Sequence, residues 1–466
     1  MHPISLFIYN DQTPIELQSL SHPFVMVSSL NHAPAVFGRT PVLLCMVLFS
    51  LSQICSAQGL FDFERPPIDY HQKIANNPIT QLQAQLDQGK TTLKYSDKHG
   101  YLPSLMKLLE VSPTTQALVY SKSSLQLRRI TPTTPRALYF NDQIYLGWVQ
   151  GGDVVEIIAT DPQLGSVFYT LPQQPSDSPK FIRDKGQCLQ CHAARRTQNV
   201  PGPVVRSLFT SHNGQPVFNF GTFVSDHTSP FSQRWGGYYV TGTHGNMRHM
   251  GNILVDANQG RSAVDYDDGA NVTDLSKLVN TKPYLTNESD LVALMVLEHQ
   301  TQMQNLITFA HYEEIRGRKY DKSMNAALDR DPSFESAFTK RRTTRSIDNL
   351  VRYLFFADEF QLTAHVKGTS SFTETFSKRG PRDNQGRSLY QLDLHQRLFR
   401  YPLSYMIYSP SFRQLPPSTL KLVAQKLHQI LTADVNQEGL EHLTPKLKIT
   451  LLGILKQTHP QIVNYW

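Results

Sequence analysis

Between residues 116 and 171 the apolar positions gather in short β-rich runs broken by polar turns. The clearest are Ala117-Leu-Val-Tyr, Arg136-Ala-Leu-Tyr-Phe, Ile144-Tyr-Leu-Gly-Trp-Val and Val154-Val-Glu-Ile-Ile. Such short runs of β-branched and aromatic residues predict strands, and Asn141-Asp142, Gly151-Gly152 and Asp161-Pro162 supply the turns between them. Upstream, residues 69–88 and 102–109 carry helical spacing. The stretch 172–179, rich in Pro, Ser and Gln, reads as a loop, and 203–255 as a second strand-rich stretch that includes Val217-Phe-Asn-Phe-Gly-Thr-Phe-Val. Beyond residue 285 the period lengthens. A helix is expected to start at Asn287 as N-cap, with Asp290 at N3, and to run to Arg316. Further helices are expected at 347–366 (after Ser346, ending near Gly368), 419–431 and 445–458, with 379–387 a loop. The pattern predicts an α+β protein: a strand-rich region, 58–285, followed by a mainly helical region, 286–466.

The first 57 residues read differently. An apolar run at 42–51 follows Arg39 and precedes Cys55-Ser56-Ala57-Gln58, the layout of a secretory signal peptide cleaved after Ala57. Met26 is an alternative start that would give a leader of ordinary length. The run is too short to span a bilayer, and the processed chain has no apolar run of 18 residues, so no transmembrane segment is expected. Residues before Cys55 do not form a lipobox, so no lipid anchor is expected. The chain is expected to be exported, to a bacterial periplasm or beyond. Net charge is +7, spread through short pairs such as Arg128-Arg129, Arg195-Arg196 and Arg341-Arg342. Without a long basic block a nucleic-acid role is not expected; an acidic redox partner or an anionic surface fits better.

Of four cysteines, Cys45 and Cys55 leave with the leader, so Cys188 and Cys191 remain. They lie in Cys188-Leu189-Gln190-Cys191-His192, the spacing used to attach a c-type haem: two thiols form thioethers to the porphyrin and the histidine ligates iron. In a helix the thiols lie about one turn apart, within reach of one porphyrin edge. A zinc site would need two more ligands at matching spacing, and no second CxxC exists. A thioredoxin-like pair should open a helix after a buried strand, whereas Lys-Gly-Gln precedes this one. The expected cofactor is one covalently bound haem c.

The sixth iron position separates functions. Candidate ligands are His244, His249 and Met250, in a segment whose glycines 242, 245 and 251 would allow close approach to a flat cofactor, together with His299. Each also has a plainer reading: turn histidines bonded to backbone, methionine as core filler, and His299 as a core histidine in the stripe Met295, His299, Met303. Arg195 and Arg196 are candidate partners of the haem propionates, and Arg206, Arg234 and Arg248 are further ones. Trp235, Tyr238 and Tyr239 could wall the haem or simply pack a core.

The Cys188–His192 motif resembles that of c-type cytochromes. Arg136-Ala-Leu-Tyr-Phe-Asn-Asp, Arg234-Trp-Gly-Gly-Tyr-Tyr-Val-Thr-Gly-Thr-His-Gly, Glu298-His-Gln-Thr and Arg397-Leu-Phe-Arg-Tyr-Pro are similar to a poorly characterised group of exported bacterial proteins with one such motif. The resemblance implies c-type haem binding. The chain is far longer than small soluble cytochromes c, and its motif is central. Electron transfer with a redox protein or a small-molecule donor or acceptor is the leading expectation. A haem-dependent oxidoreductase with an open sixth site and a haem-based sensor are the alternatives. No Walker loop, Gly-x-Ser-x-Gly elbow or His-Glu-x-x-His pair competes, and Asp265, Asp267 and Asp268 do not fit a calcium loop.

Overall fold

The computed structural model describes residues 62–466. The expected signal peptide, 1–57, lies outside the described residues. Helix α1 is Pro78–Asp87, shorter than the expected 69–88. Asn77 caps it: its side chain accepts from the Ile79 and Thr80 amides while Thr80 Oγ1 accepts from the Asn77 amide. Pro78 at the first position fits this start, so 69–77 form turns instead. Helix α2, Leu102–Leu108, follows.

Six antiparallel strands then form one sheet in chain order: β1 Ala117–Val119, β2 Arg136–Phe140, β3 Ile144–Trp148, β4 Val154–Asp161, β5 Gly165–Pro172 and β6 Ile182–Arg183. The register divides the side chains into two faces. Leu138, Gly147, Glu156 and Thr170 form one cross-strand row, and Phe140, Tyr145, Ile158 and Phe168 the next, on the same face. The opposite face, with Tyr139, Leu146, Ile157 and Leu171, shares a core with Ile79 and Leu82 of α1 and Leu102 and Leu105 of α2.

A four-residue helix, α3 (Leu189–His192), lies between β6 and β7 (Arg206–Leu208). The expectation that 203–255 is strand-rich is corrected. β7 pairs with β8 (Thr222–Val224), β9 is only Gly242–Thr243, and turns make up most of the rest. Phe218–Phe220 is a single 3-10 turn closed by Gly221 at φ +99°, so of the run that its alternating pattern suggested only Thr222–Val224 is a strand.

The helical part begins with α4, Leu291–Ala327, followed by α5, Ala337–Leu354. The N-cap of α4 is Asp290, not Asn287, and the helix continues well beyond Arg316. The helix expected at 347–366 starts ten residues earlier, capped by Ser336, and stops at Leu354. Its inner face opens with buried Thr339, Thr343 and Ser346, so hydrophobic spacing marks only its second half. β10 (Lys367–Gly368), α6 (Phe372–Ser377), α7 (Pro410–Arg413), α8 (Pro417–Thr432), α9 (Pro445–Thr458) and α10 (Pro460–Val463) complete the α+β chain. Among the described residues no helix is long and apolar enough to cross a membrane.

The strand-rich and helical parts share one core, in which Phe140 and Tyr145 of the sheet meet Leu294, Val296 and Met303 of α4. Gln300 donates to Tyr145 Oη and to the Asn141 carbonyl, both at 2.8 Å. β10 pairs with β9 across some 125 residues of chain, and buried Asp290 fastens the junction. Its Oδ1 accepts from the Val292 and Ala293 amides; its Oδ2 accepts from the Thr369 and Ser370 amides and from Ser370 Oγ. Asp290→Ala leaves five donors without an acceptor and is expected to lower unfolding free energy by about 3 kcal/mol or more, read from denaturant titration.

Candidate functional site

Cys188 is the N-cap of α3, and its carbonyl accepts from the Cys191 amide (3.2 Å) and the His192 amide (3.0 Å). The helical geometry expected of the motif is present, with the two thiols one turn apart. Cys188 is half-buried, Cys191 exposed, and both are free. Asp184 positions the start of the turn: its Oδ2 accepts from the amides of Gly186 (2.8 Å) and Cys188 (3.1 Å). Burial first, and the charges of Asp184 and Glu156 after it, push the Cys188 thiol up to about 12. Nucleophilic and metal-binding cysteines need the reverse, an electropositive setting that favours thiolate.

His192 is held at two points by one glycine. The chain turns back through Gln198 (φ +54°) and Asn199 (φ +58°), bringing Gly202 against the helix. The Gly202 amide donates to the His192 carbonyl at 2.8 Å, and the Gly202 carbonyl accepts from His192 Nδ1 at 3.0 Å. A carbonyl only accepts, so Nδ1 carries the proton and Nε2 keeps its lone pair. Burial lowers the basicity of the ring, which favours this neutral form. The ring also packs on Phe168 of β5, centroids 5.1 Å apart. Gly202 is fixed in turn by α4, where Asn305 Nδ2 donates to the Pro203 carbonyl (2.9 Å). A Cβ on Gly202 would lie 1.8 Å from Asn305 Oδ1, so only glycine fits there without a shift.

The sheet also brings one ion pair close to the motif. Arg136 of β2 and Glu156 of β4 pair at 2.9 Å, both half-buried, and their charges reach His192. Between their strands lies Gly147, where a Cβ would make ordinary contact with Glu156 at 3.4 Å and Arg136 at 3.5 Å. Arg136 Nε is buried without an acceptor. On the outer side Arg206 is near enough to Arg196 and Cys191 for their charges to bear on it, and its guanidinium covers the ring of exposed Phe218. Arg195 and Arg196 occupy the exposed turn after the motif and have no carboxylate partner among the described residues. Sequence reading named Arg195, Arg196 and Arg206 but did not assign roles to Arg136, Glu156, Phe168 or Gly202. Arg136 and Phe168 come to the motif only through strand register. The one signal for Gly202 is its place between Pro201 and Pro203.

The four candidate sixth ligands lie in other settings. His299 uses both ring nitrogens, Nδ1 with His227 Nδ1 (2.8 Å) and Nε2 with Ser404 Oγ (2.7 Å), and stacks on Phe356. His244 Nε2 accepts from the Asn271 amide, and His249 Nδ1 accepts from the Gly251 amide, both at 3.0 Å. Their rings lie 4.8 Å apart beside Phe231. Met250 is buried with Phe209, Val217 and Phe220, its sulfur accepting from Ser207 Oγ. Among the described residues none of the four shares a hydrogen bond or ring contact with Cys188, Cys191 or His192. The glycines around them serve protein packing: at Gly242 a Cβ would stand 2.8 Å from the Lys367 carbonyl.

Of the other arginines considered for propionates, Arg234 is 3% exposed and donates to Glu298 (0% exposed) at 3.2 Å, while Arg248 pairs with Asp267. Trp235 and Tyr238 pack in the core shared with α4, and Tyr239 in the core on the opposite sheet face. Among the described residues no group of three or more His, Cys, Asp or Glu side chains is placed to hold a metal ion. No protein-family model matches the chain, nor does any curated protein or solved structure. Fold and motif therefore define its class: an α+β protein with a CxxCH turn packed through its histidine on Phe168 of an antiparallel sheet.

Proposed function

We propose that the protein is an exported c-type haem carrier that holds one haem through Cys188 and Cys191 and ligates its iron through His192 Nε2. The observation that carries this reading is the hydrogen bond from His192 Nδ1 to the Gly202 carbonyl, which leaves a neutral imidazole with its second nitrogen free, one residue from a free thiol. A ligating histidine characteristically has its other nitrogen anchored in this way. The raised Cys188 thiol argues against a redox pair or thiolate–metal site, and thioether formation ends in a neutral sulfur that suits its acidic, half-buried setting. The unsatisfied Arg136 Nε and the carboxylate-free Arg196 and Arg206 are groups able to receive two propionates. When bound, such a haem supplies an iron that passes one electron at a time. The reaction partner is then a redox protein or a small-molecule donor or acceptor.

One observation favours a second reading, a haem-dependent oxidoreductase with an open sixth position: His244, His249, Met250 and His299 all have partners elsewhere. Protein made in a host that matures c-type haem proteins distinguishes the two. Intact mass should exceed the processed chain by one haem, and visible spectra, oxidised and reduced, with and without carbon monoxide, report the sixth position. A low-spin spectrum indifferent to carbon monoxide supports the carrier, and ready carbon monoxide binding supports the oxidoreductase. A mass equal to the bare chain overturns both.

A further inference from the structure

The end of the α4–α5 hairpin concentrates two properties that the haem reading does not use. Between Arg318 and Arg345 the sequence holds eight basic and four acidic residues, so this short stretch carries more than half of the chain's net +7. Arg318 and Arg342 are engaged by Glu314 and Glu313. Lys319, Lys322, Lys340, Arg341 and Arg345 have no carboxylate partner among the described residues and are exposed. Lys340, Arg341, Thr344, Arg345 and Asp348 line a shallow groove of about 390 Å³ on α5, which adjoins a second of about 370 Å³ reaching Arg352 and Lys426. Spacings of three and four residues place Phe338, Arg341, Arg345 and Asp348 along one helix face.

The second property is apolar. Tyr320 (45% exposed), Leu328 (48%), Phe334 (47%) and Phe338 (45%) stand out at the same end, beside the cations instead of lining the groove. Tyr320 and Phe338 touch at 5.5 Å, and the guanidiniums of Arg330 and Arg342 lie over Phe334 and Phe338 at 5.2 and 5.3 Å. The tip is braced from within. From Arg318 to Ala327 only Asp321 and Asn325 are buried, and these accept from the Ser336 amide and donate to the Phe334 carbonyl respectively. Gly317 allows the two helices to meet closely, since a Cβ there would lie 2.6 Å from Thr339 Cγ2. The aromatic groups are thus held outward on a fixed support.

Apolar side chains that project, aromatic rings with cations above them, and unpaired basic groups at the same level match one environment: the interface of a bilayer whose headgroups carry negative charge. An acidic protein would satisfy the cations but offers no general place for four projecting apolar groups. We infer that the α4–α5 tip is a docking surface for an anionic membrane, with lipid phosphates among Lys340, Arg341 and Arg345 and with Tyr320, Leu328, Phe334 and Phe338 entering the headgroup layer. This surface is separate from Cys188–His192 and does not depend on what that motif binds.

Cosedimentation of the purified full-length processed chain with vesicles tests it. Binding is expected to vesicles containing about one-third phosphatidylglycerol, weakly or not at all to pure phosphatidylcholine, and to fall at high salt. Arg341→Glu with Arg345→Glu should weaken partition roughly tenfold or more, since each basic residue near the surface contributes about a factor of five. Phe334→Ser with Phe338→Ser should also weaken it, with less dependence on salt. All four positions are exposed, so an unchanged thermal midpoint confirms that each variant is folded. Equal binding to both vesicle types, or charge reversal without effect, overturns the inference. Binding to poly-glutamate without binding to anionic vesicles also overturns it, in favour of an acidic protein partner.

Discussion

Replacing Cys188 and Cys191 together by alanine is expected to abolish covalent haem completely while leaving the chain folded. Cys191 is exposed and Cys188 half-buried, so the substitutions remove little packing and should cost about 1 kcal/mol or less. The loss is therefore chemical, not structural: no other cysteine lies in the described residues. Either single replacement should leave at most one thioether. His192→Ala should keep both thioethers but alter the spectrum, because its effect falls on iron and not on sulfur. Mass after denaturation separates the two outcomes. Haem that survives denaturation in the double variant would place the attachment elsewhere and end the proposal.

Stability is expected to peak near pH 6.5, with its loss on the alkaline side due chiefly to Glu298. Burial lowers His227 and His249 to about 3 and His311 to about 4, and puts His299 well below 6.5. These rings stay neutral in the fold while the unfolded chain takes up protons below pH 6.5, so stability falls as pH falls. Burial acts oppositely on Glu298, raised to about 8 despite Arg234, with Asp226 adding to the rise; it also raises Glu359 to about 7. Above pH 4.5 the unfolded carboxyls ionise while the folded ones hold their protons, so stability falls as pH rises. Between 4.5 and 6.5 four histidines outweigh two glutamates. From 6.5 to 8 the glutamates act alone, and each proton contributes up to about 1.4 kcal/mol per pH unit. Glu298→Gln imitates the protonated carboxyl and should flatten the decline between pH 7 and 8. Denaturant midpoints across pH provide the check; a flat wild-type curve from 6.5 to 8 would refute the assignment.

The strands from 117 to 172 and helix Pro445–Thr458 were legible because both depend on local pattern: short β-rich runs bounded by turn residues in one case, a proline start and aliphatic spacing in the other. Elements with polar inner faces were not. Helix α5 hides its first turns behind Thr339 and Thr343, and α1 loses nine expected residues to a cap that spacing alone does not reveal. At the site, Cys188, Cys191 and His192 stand next to one another in the chain and need no fold to be recognised. Gly202, Phe168, Arg136 and Glu156 reach them by a chain reversal and by sheet register, both properties of the assembled molecule. His299 illustrates the converse: it sits on an apolar helix face as read, yet its partners, His227 and Ser404, lie some 70 and 105 residues away.

The clasp at Asp290 also bears on how the molecule can be divided. The Thr241 amide donates to the Ser289 carbonyl and the Leu291 amide to the Thr241 carbonyl, and the same aspartate grips Thr369 and Ser370. A protease nick in the exposed 256–263 turn would give two polypeptides that stay interlocked, and neither segment could be discarded to yield a smaller working module.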